Sequence, residues 1–215
     1  MPLRNKLYVL LLLIFLWSCS GDDISYDIGA YKVDLADVCV SSEGKQFFLL
    51  DNNISLLHNG YISKLEQGQR IWLNYSYLEE ENKNYNHIIK VNGYTQITTR
   101  KLKSLSWAVI SSFPDSDPVR LESVWIGNHY LNLIFQIGFH SEKHLIDLFC
   151  DESRIRDEEL HIYFRHDNNN DPPGAPQKVI ISYDLSILGN PGQNKVLYVH
   201  IKSDNYGDRV YELLY

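Results

Sequence analysis

The run G-Q-R-I-W-L-N-Y-S-Y, from Gly68 to Tyr77, decides the fold. Ile71, Leu73, Tyr75 and Tyr77 alternate with Trp72, Asn74 and Ser76. A period of two places one set of side chains on a buried face and the other outside, as in a half-buried strand. Shorter apolar runs flank this strand, at 36–42, 45–50 and 54–58 before it and at 86–92 and 94–99 after it. Asn92-Gly93 lies between H-I-I-K-V and Y-T-Q-I-T and predicts a two-residue hairpin turn, since both residues tolerate positive φ. Asn59-Gly60 is a second turn signal, and the polar stretch from Glu79 to Asn86 reads as a solvated loop. Five or six short strands in about 80 residues suit a small barrel of the OB type, assigned to residues 33–113.

Further along, K-L-K-S-L-S-W-A-V-I (101–110) fits either a strand or a short helix. F-P-D-S-D-P-V (113–119) follows, and its two prolines disfavour helix and ladder alike, which places a domain boundary there. A second strand series occupies 122–126, 129–137, 159–165, 178–185, 195–202 and 208–214, and 139–149 reads as strand. With Asn, Asp, Gly and Pro in the intervening turns, residues 119–215 are expected to form a β-sandwich. The fold class is therefore all-β, an OB-like barrel followed by a sandwich. No internal repeat relates the halves.

Residues 1–18 read as a signal peptide. Arg4 and Lys6 precede an apolar run from Leu7 to Trp17, too short to span a bilayer but of signal-peptide length. The run ends in Leu16-Trp17-Ser18-Cys19, which resembles a bacterial lipobox and implies lipid attachment at Cys19 after cleavage. Trp17 departs from the small or aliphatic residue usual at its position. Residues 19–32 are then a lipidated linker, and Asp22-Asp23 close behind the cysteine points to export to the cell surface. No later stretch of the sequence is apolar for 18 residues, so lipid would be the anchor. The other cysteines, Cys39 and Cys150, sit in apolar stretches and are expected to be buried free thiols.

The 215-residue chain carries 20 Lys plus Arg against 27 Asp plus Glu, a formal charge of −7. That balance disfavours duplex nucleic acid, whose binding rests on basic side chains at phosphates. His140 and His144 form H-S-E-K-H, not the zinc-protease H-E-x-x-H, and on a strand they would stand about 13 Å apart. His161 and His166 differ by an odd number and would face opposite ways along a strand, so structural or surface histidines are expected and no metal. Asp167, Asn169 and Asp171 imitate the start of a calcium loop, but Pro172 stands where the turning glycine belongs and Lys178 where the bidentate glutamate does. A solvated turn is expected there. Glu79, Glu80 and Glu81 read as solvated, as do Arg100, Lys101 and Lys103. Nucleophile elbow, phosphate loop, C-x-x-C and dinucleotide fingerprint are all missing from the sequence, so catalytic and cofactor-binding residues are expected to be none. Trp72, Trp107, Trp125 and the many tyrosines serve mostly as core, although exposed ones could stack on sugars.

The lipobox, the run from Gly68, D-P-V at Asp117, W-I-G at Trp125, Y-L-N at Tyr130 and R-H-D-N at Arg165 together resemble the NigD-like lipoproteins of Bacteroidetes. The resemblance covers nearly the whole chain after the leader. It implies an OB-type domain, a C-terminal β-sandwich and an association with bacteriocin production or immunity. It carries over no catalytic residue, and Cys19 is the one matched functional position. The function expected is a non-catalytic lipoprotein on the outer-membrane surface that binds a protein partner; a glycan-binding lipoprotein is the alternative.

Overall fold

A computed structural model describes residues 31–78, 82–192 and 194–215; the leader, Cys19, Asp22-Asp23 and Glu79–Glu81 lie outside them. Strands β1 (Tyr31–Val40), β2 (Gln46–Leu50), β3 (Ser55–His58), β4 (Arg70–Tyr77) and β5 (His87–Gln96) close into a barrel in the order β1-β2-β3-β5-β4. β1 is long enough to pair with both β2 and β4, and β3 meets β5 in parallel. Tyr31 and Lys32, expected in a linker, already belong to β1. Ile71, Leu73 and Tyr75 point into the barrel with Ala36, Val38, Phe48, Leu56 and Ile89. Leu65 inserts from the long β3–β4 connection, which Gln46 holds by donating to the Leu65 carbonyl at 3.0 Å and accepting from the Ile62 N–H at 2.9 Å.

Asn92-Gly93 does not turn the chain. β5 runs straight through it, and the register against β4 shifts at Asn74/Tyr75. Neither residue has positive φ. The Asn92 amide donates to Ser76 Oγ at 2.9 Å and Asn74 Oδ1 at 3.2 Å. An extra residue on one strand bends it and raises its twist, as a strand coiling around a small barrel requires. The bend met that need where a hairpin was expected.

The sandwich consists of a five-stranded sheet, β14-β13-β11-β10-β7, and a four-stranded sheet, β6-β12-β9-β8. Their strands are β6 (Thr98–Lys101), β7 (Lys103–Leu105), β8 (Arg120–Gly127), β9 (Tyr130–Phe139), β10 (Leu145–Asp151), β11 (Glu159–Asp167), β12 (Ala175–Asp184), β13 (Val196–Ser203) and β14 (Gly207–Leu214). The inner faces share one apolar core that includes Leu131, Leu133, Phe135, Leu148, Ile162, Tyr183, Leu197 and Val199.

The sheets do not divide where the prolines stand. Residues 98–105, expected with the barrel, pair into the sandwich: β6 beside β12 and β7 beside β10. Between them Leu102 enters the sandwich core, so the chain switches sheets within one residue and closes that side. The ambiguous 101–110 run satisfies both readings in turn, as β7 and then a one-turn helix, α1 (Trp107–Ile110). Residues 140–144, expected as strand, form the turn before β10. Among the described residues no helix is long and apolar enough to cross a membrane.

Candidate functional site

Tyr31–Tyr215 form one compact unit, and a single side chain fastens its two parts. Parity puts Arg70 on the outside of the barrel beside Trp72, yet the Arg70 side chain is wholly buried because the four-stranded sheet covers it. Trp125, Asn132 and Ser182 lie side by side across β8, β9 and β12 on that sheet's outer face. Arg70 donates from Nε to Ser182 Oγ at 2.8 Å, from Nη1 to Asp37 Oδ1 at 3.0 Å, and from Nη2 to Asp51 Oδ1 at 2.6 Å and Asn132 Oδ1 at 2.9 Å. Its guanidinium carbon stands 4.1 Å from the centre of the Tyr130 ring. Asp51 also accepts from Asn132 Nδ2 at 3.1 Å and Trp125 Nε1 at 3.4 Å. A β-carbon at Gly127 would lie 2.0 Å from Asp51 Oδ2, so only glycine lets the β2–β3 turn seat there. Burial raises the Asp37 carboxyl, and Arg70 opposes that shift without cancelling it.

A second cluster is internal to the sandwich. His166 on β11 and His144 before β10 stack, with His144 Nδ1 2.8 Å from His166 Nε2. His144 Nε2 lies 3.2 Å from Asp171 Oδ2. The one donor order that satisfies all three groups runs from His166 Nε2–H to His144 and from His144 Nε2–H to Asp171, with both rings neutral. Asp171 is buried, not part of a solvated turn, and it accepts the backbone N–H of His140, Ser141 and Glu142 at 2.7–2.9 Å. Burial pulls its pKa up, but these three donors and His144 outweigh that and hold it well below the usual carboxylate range. Burial and then the neighbouring His144 lower the His166 pKa. The arrangement imitates a carboxylate–imidazole relay, but it ends on His166 Nδ1, which is buried without a hydrogen-bond partner among the described residues. It delivers no proton to a reacting group, and its geometry ties two loops together.

The third feature is the solvent face of the five-stranded sheet. His161 and Tyr163 on β11 stand opposite Tyr198 and His200 on β13. Tyr163 stacks on His200 at 4.7 Å and His161 on Tyr198 at 5.1 Å, while His161 Nδ1 and His200 Nε2 are 2.8 Å apart. Trp107 of α1, 50% exposed, extends the row to Tyr163 at 5.5 Å, and Val210 on the edge strand is 54% exposed. A hollow of about 270 Å³ opens beside the row between Trp107, Asp151, Arg154, His161 and Tyr163. His161 and His166 do face opposite ways along β11, one to this surface and one to the buried cluster.

The remaining sequence candidates have structural surroundings. Arg100 and Lys103, expected as a solvated edge, converge on Asp147, Lys103 at 2.8 Å, and Arg100 also donates to the Ile146 carbonyl. Cys39 and Cys150 are free thiols, Cys39 half-buried and Cys150 buried, where desolvation raises the latter's pKa to about 11. No group of three or more His, Cys, Asp or Glu that could hold a metal ion occurs among the described residues.

Two family models match this chain, the NigD-like N-terminal OB domain over residues 35–97 and the NigD-like C-terminal beta sandwich domain over 109–215. The chain belongs to the NigD-like family. Solved structures share the fold. A protein of unknown function from Bacteroides vulgatus is 24% identical with a TM-score of 0.73, covering 86% of this chain and 90% of its own. A protein described as toxin-related from Parabacteroides distasonis is 25% identical with a TM-score of 0.68, covering 86% and 93%. A NigD-like immunity protein from Bacteroides caccae is 18% identical with a TM-score of 0.57, covering 84% and 90%. No curated protein matches this sequence. Within the NigD-like frame the motif residues have clear physical roles. Arg70, Trp125, Gly127, Tyr130 and Asn132 build the junction. Asp117 accepts the N–H of Asn168 at 2.8 Å and donates its own N–H to the His166 carbonyl at 2.8 Å, tying D-P-V to R-H-D-N. The motifs hold the fold, and sequence alone missed this because the partners lie far apart along the chain.

Proposed function

We propose that this NigD-like chain is a non-catalytic lipoprotein, anchored in the outer membrane through Cys19 and displayed on the cell surface, whose sandwich binds a protein partner. The observation that carries the reading is the ring-lined solvent face of the five-stranded sheet. Tyr, Trp and aromatic-rich centres with charged rims are where binding energy concentrates in protein interfaces. Here Trp107, Tyr163, His161, His200 and Tyr198 are flanked by Glu159, Glu212, Lys202 and Arg165 on the same face. One neighbour's name, an immunity protein, supports a partner in bacteriocin production or immunity. The acidic chain argues against nucleic acid. The hollow beside Trp107 favours a second reading, a glycan stacked on the indole. A photo-crosslinker placed at Tyr198 or Val210 in intact cells is expected to trap one protein, while the same group at Lys90 on the barrel does not. Binding on a glycan array without such a crosslink would transfer the face to sugar.

The anchoring reading has its own test. A single acyl chain holds only weakly, at about 0.8 kcal/mol per buried CH₂, so stable anchoring takes two or more chains. Palmitate labelling of the wild type is expected to disappear in Cys19→Ala, and protease added to intact cells is expected to remove the protein. Undiminished label ends the anchoring claim; protection from protease ends the surface claim.

A further inference from the structure

Where β1, β4 and the β2–β3 turn meet β8, a cleft of about 280 Å³ opens between barrel and sandwich. Trp72 and Trp125 line it, together with Val33, Leu35, Asp34 and Asp51. The charged side chains of this lining are both acidic. Beneath the cleft, Arg70 has its donors engaged by Asp37, Asp51, Asn132 and Ser182, so one guanidinium faces two carboxylates before Asp34 is counted. Asp34 accepts the Tyr75 hydroxyl proton at 2.9 Å, which fixes its carboxylate at the mouth. Trp125 donates to Asp51 Oδ2, which fixes its indole. Both aromatic walls are half-buried and therefore keep exposed surface toward the cleft.

Indole faces attract cations through the ring quadrupole, more strongly when water is partly excluded, and adjacent carboxylates add Coulomb attraction. We infer that the Trp72–Trp125 cleft is a recognition pocket for a single lysine or arginine side chain presented by a basic protein partner. The inference is independent of the sheet face argued above. Its basis is charge complementarity: a net-negative, indole-walled hollow of one-side-chain size suits an extended apolar stem that ends in a positive head. An anionic or neutral group would leave the excess carboxylate charge unmatched.

The test uses the full chain labelled with ¹⁵N at tryptophan, titrated with the blocked tripeptides Gly-Lys-Gly and Gly-Arg-Gly, their norleucine and glutamate counterparts, and choline. The basic peptides are expected to shift the indole N–H signals of Trp72 and Trp125 but not that of Trp107, binding at least about fivefold more tightly than the norleucine peptide. Added salt weakens this preference, because the exposed part of the attraction is screened. Trp72→Leu is expected to cost about tenfold. Asp34→Asn, which keeps an acceptor for Tyr75, is expected to cost severalfold without loss of fold. Equal binding of the norleucine peptide, or no shift at either indole, overturns the proposal. So does choline binding without peptide binding, which would assign the cleft to a small molecule. Self-association that Trp72→Leu abolishes would assign it to a second copy and also overturn it.

Discussion

Replacing Arg70 with methionine is expected to lower stability by about 3–5 kcal/mol, because removal of one partner strands the others in a buried, water-poor junction. Asp37 and Asp51 would lose their counter-charge, and Asn132 and Ser182 would lose a donor each. For a chain of this size each kcal/mol corresponds to about 2–4 °C, so the thermal midpoint falls by roughly 6–20 °C. Arg70→Lys recovers only part of this, since an ammonium cannot reproduce a planar fork reaching four acceptors. Combining Arg70→Met with Asp37→Asn and Asp51→Asn is expected to cost less than Arg70→Met alone, as no unpaired charge then remains. Urea denaturation followed by circular dichroism checks all three. A loss below about 1 kcal/mol for Arg70→Met would mean that apolar contact, not the guanidinium, holds barrel to sandwich.

Acid is expected to weaken the protein in two stages. His166, lowered by burial and then by His144, and His200, lowered by burial and then by His161, stay neutral in the folded chain where an unfolded imidazole would protonate. The unfolded state then binds more protons, so the histidine contribution is complete above about pH 6.5 and declines as pH falls below it. Linkage caps that decline at about 1.4 kcal/mol per pH unit for each imidazole, and solvent screening keeps the half-buried His200 well under the cap. Asp171 acts lower down: its depressed carboxyl stabilises the fold above about pH 4, and this is lost as pH falls further. Asp37, raised by burial, works in the opposite sense there because the folded state accepts its proton first. Thermal midpoints measured from pH 7 to 5 should fall, and His166→Gln should flatten the slope while lowering the plateau. Asp171→Ala should lower the midpoint at every pH above 4, since His140, Ser141, Glu142 and His144 lose their acceptor. A flat profile would mean that water reaches His166 in the folded state.

Alternation of side chains is a local signal, and what it dictates was legible in the sequence. The inward set Ile71, Leu73 and Tyr75, the all-β class, the barrel-then-sandwich order and the opposed directions of His161 and His166 follow from a period of two. What covers the outward-facing residues is not local. Arg70 reads as a barrel surface residue until Asn132, 62 positions on, and Ser182, 112 positions on, are laid over it. Asp171 reads as a solvated turn until the β9–β10 turn and His144 fold onto it. Asn92-Gly93 has hairpin chemistry, but barrel closure needed a bend at that point and the strand continued. Residues 98–105 carry no mark of which sheet they join, because β12 and β10 supply that partner only after the sandwich forms. Periodicity along the chain set which face each side chain took; burial and charge pairing at the junction were decided by segments that only tertiary packing brings together.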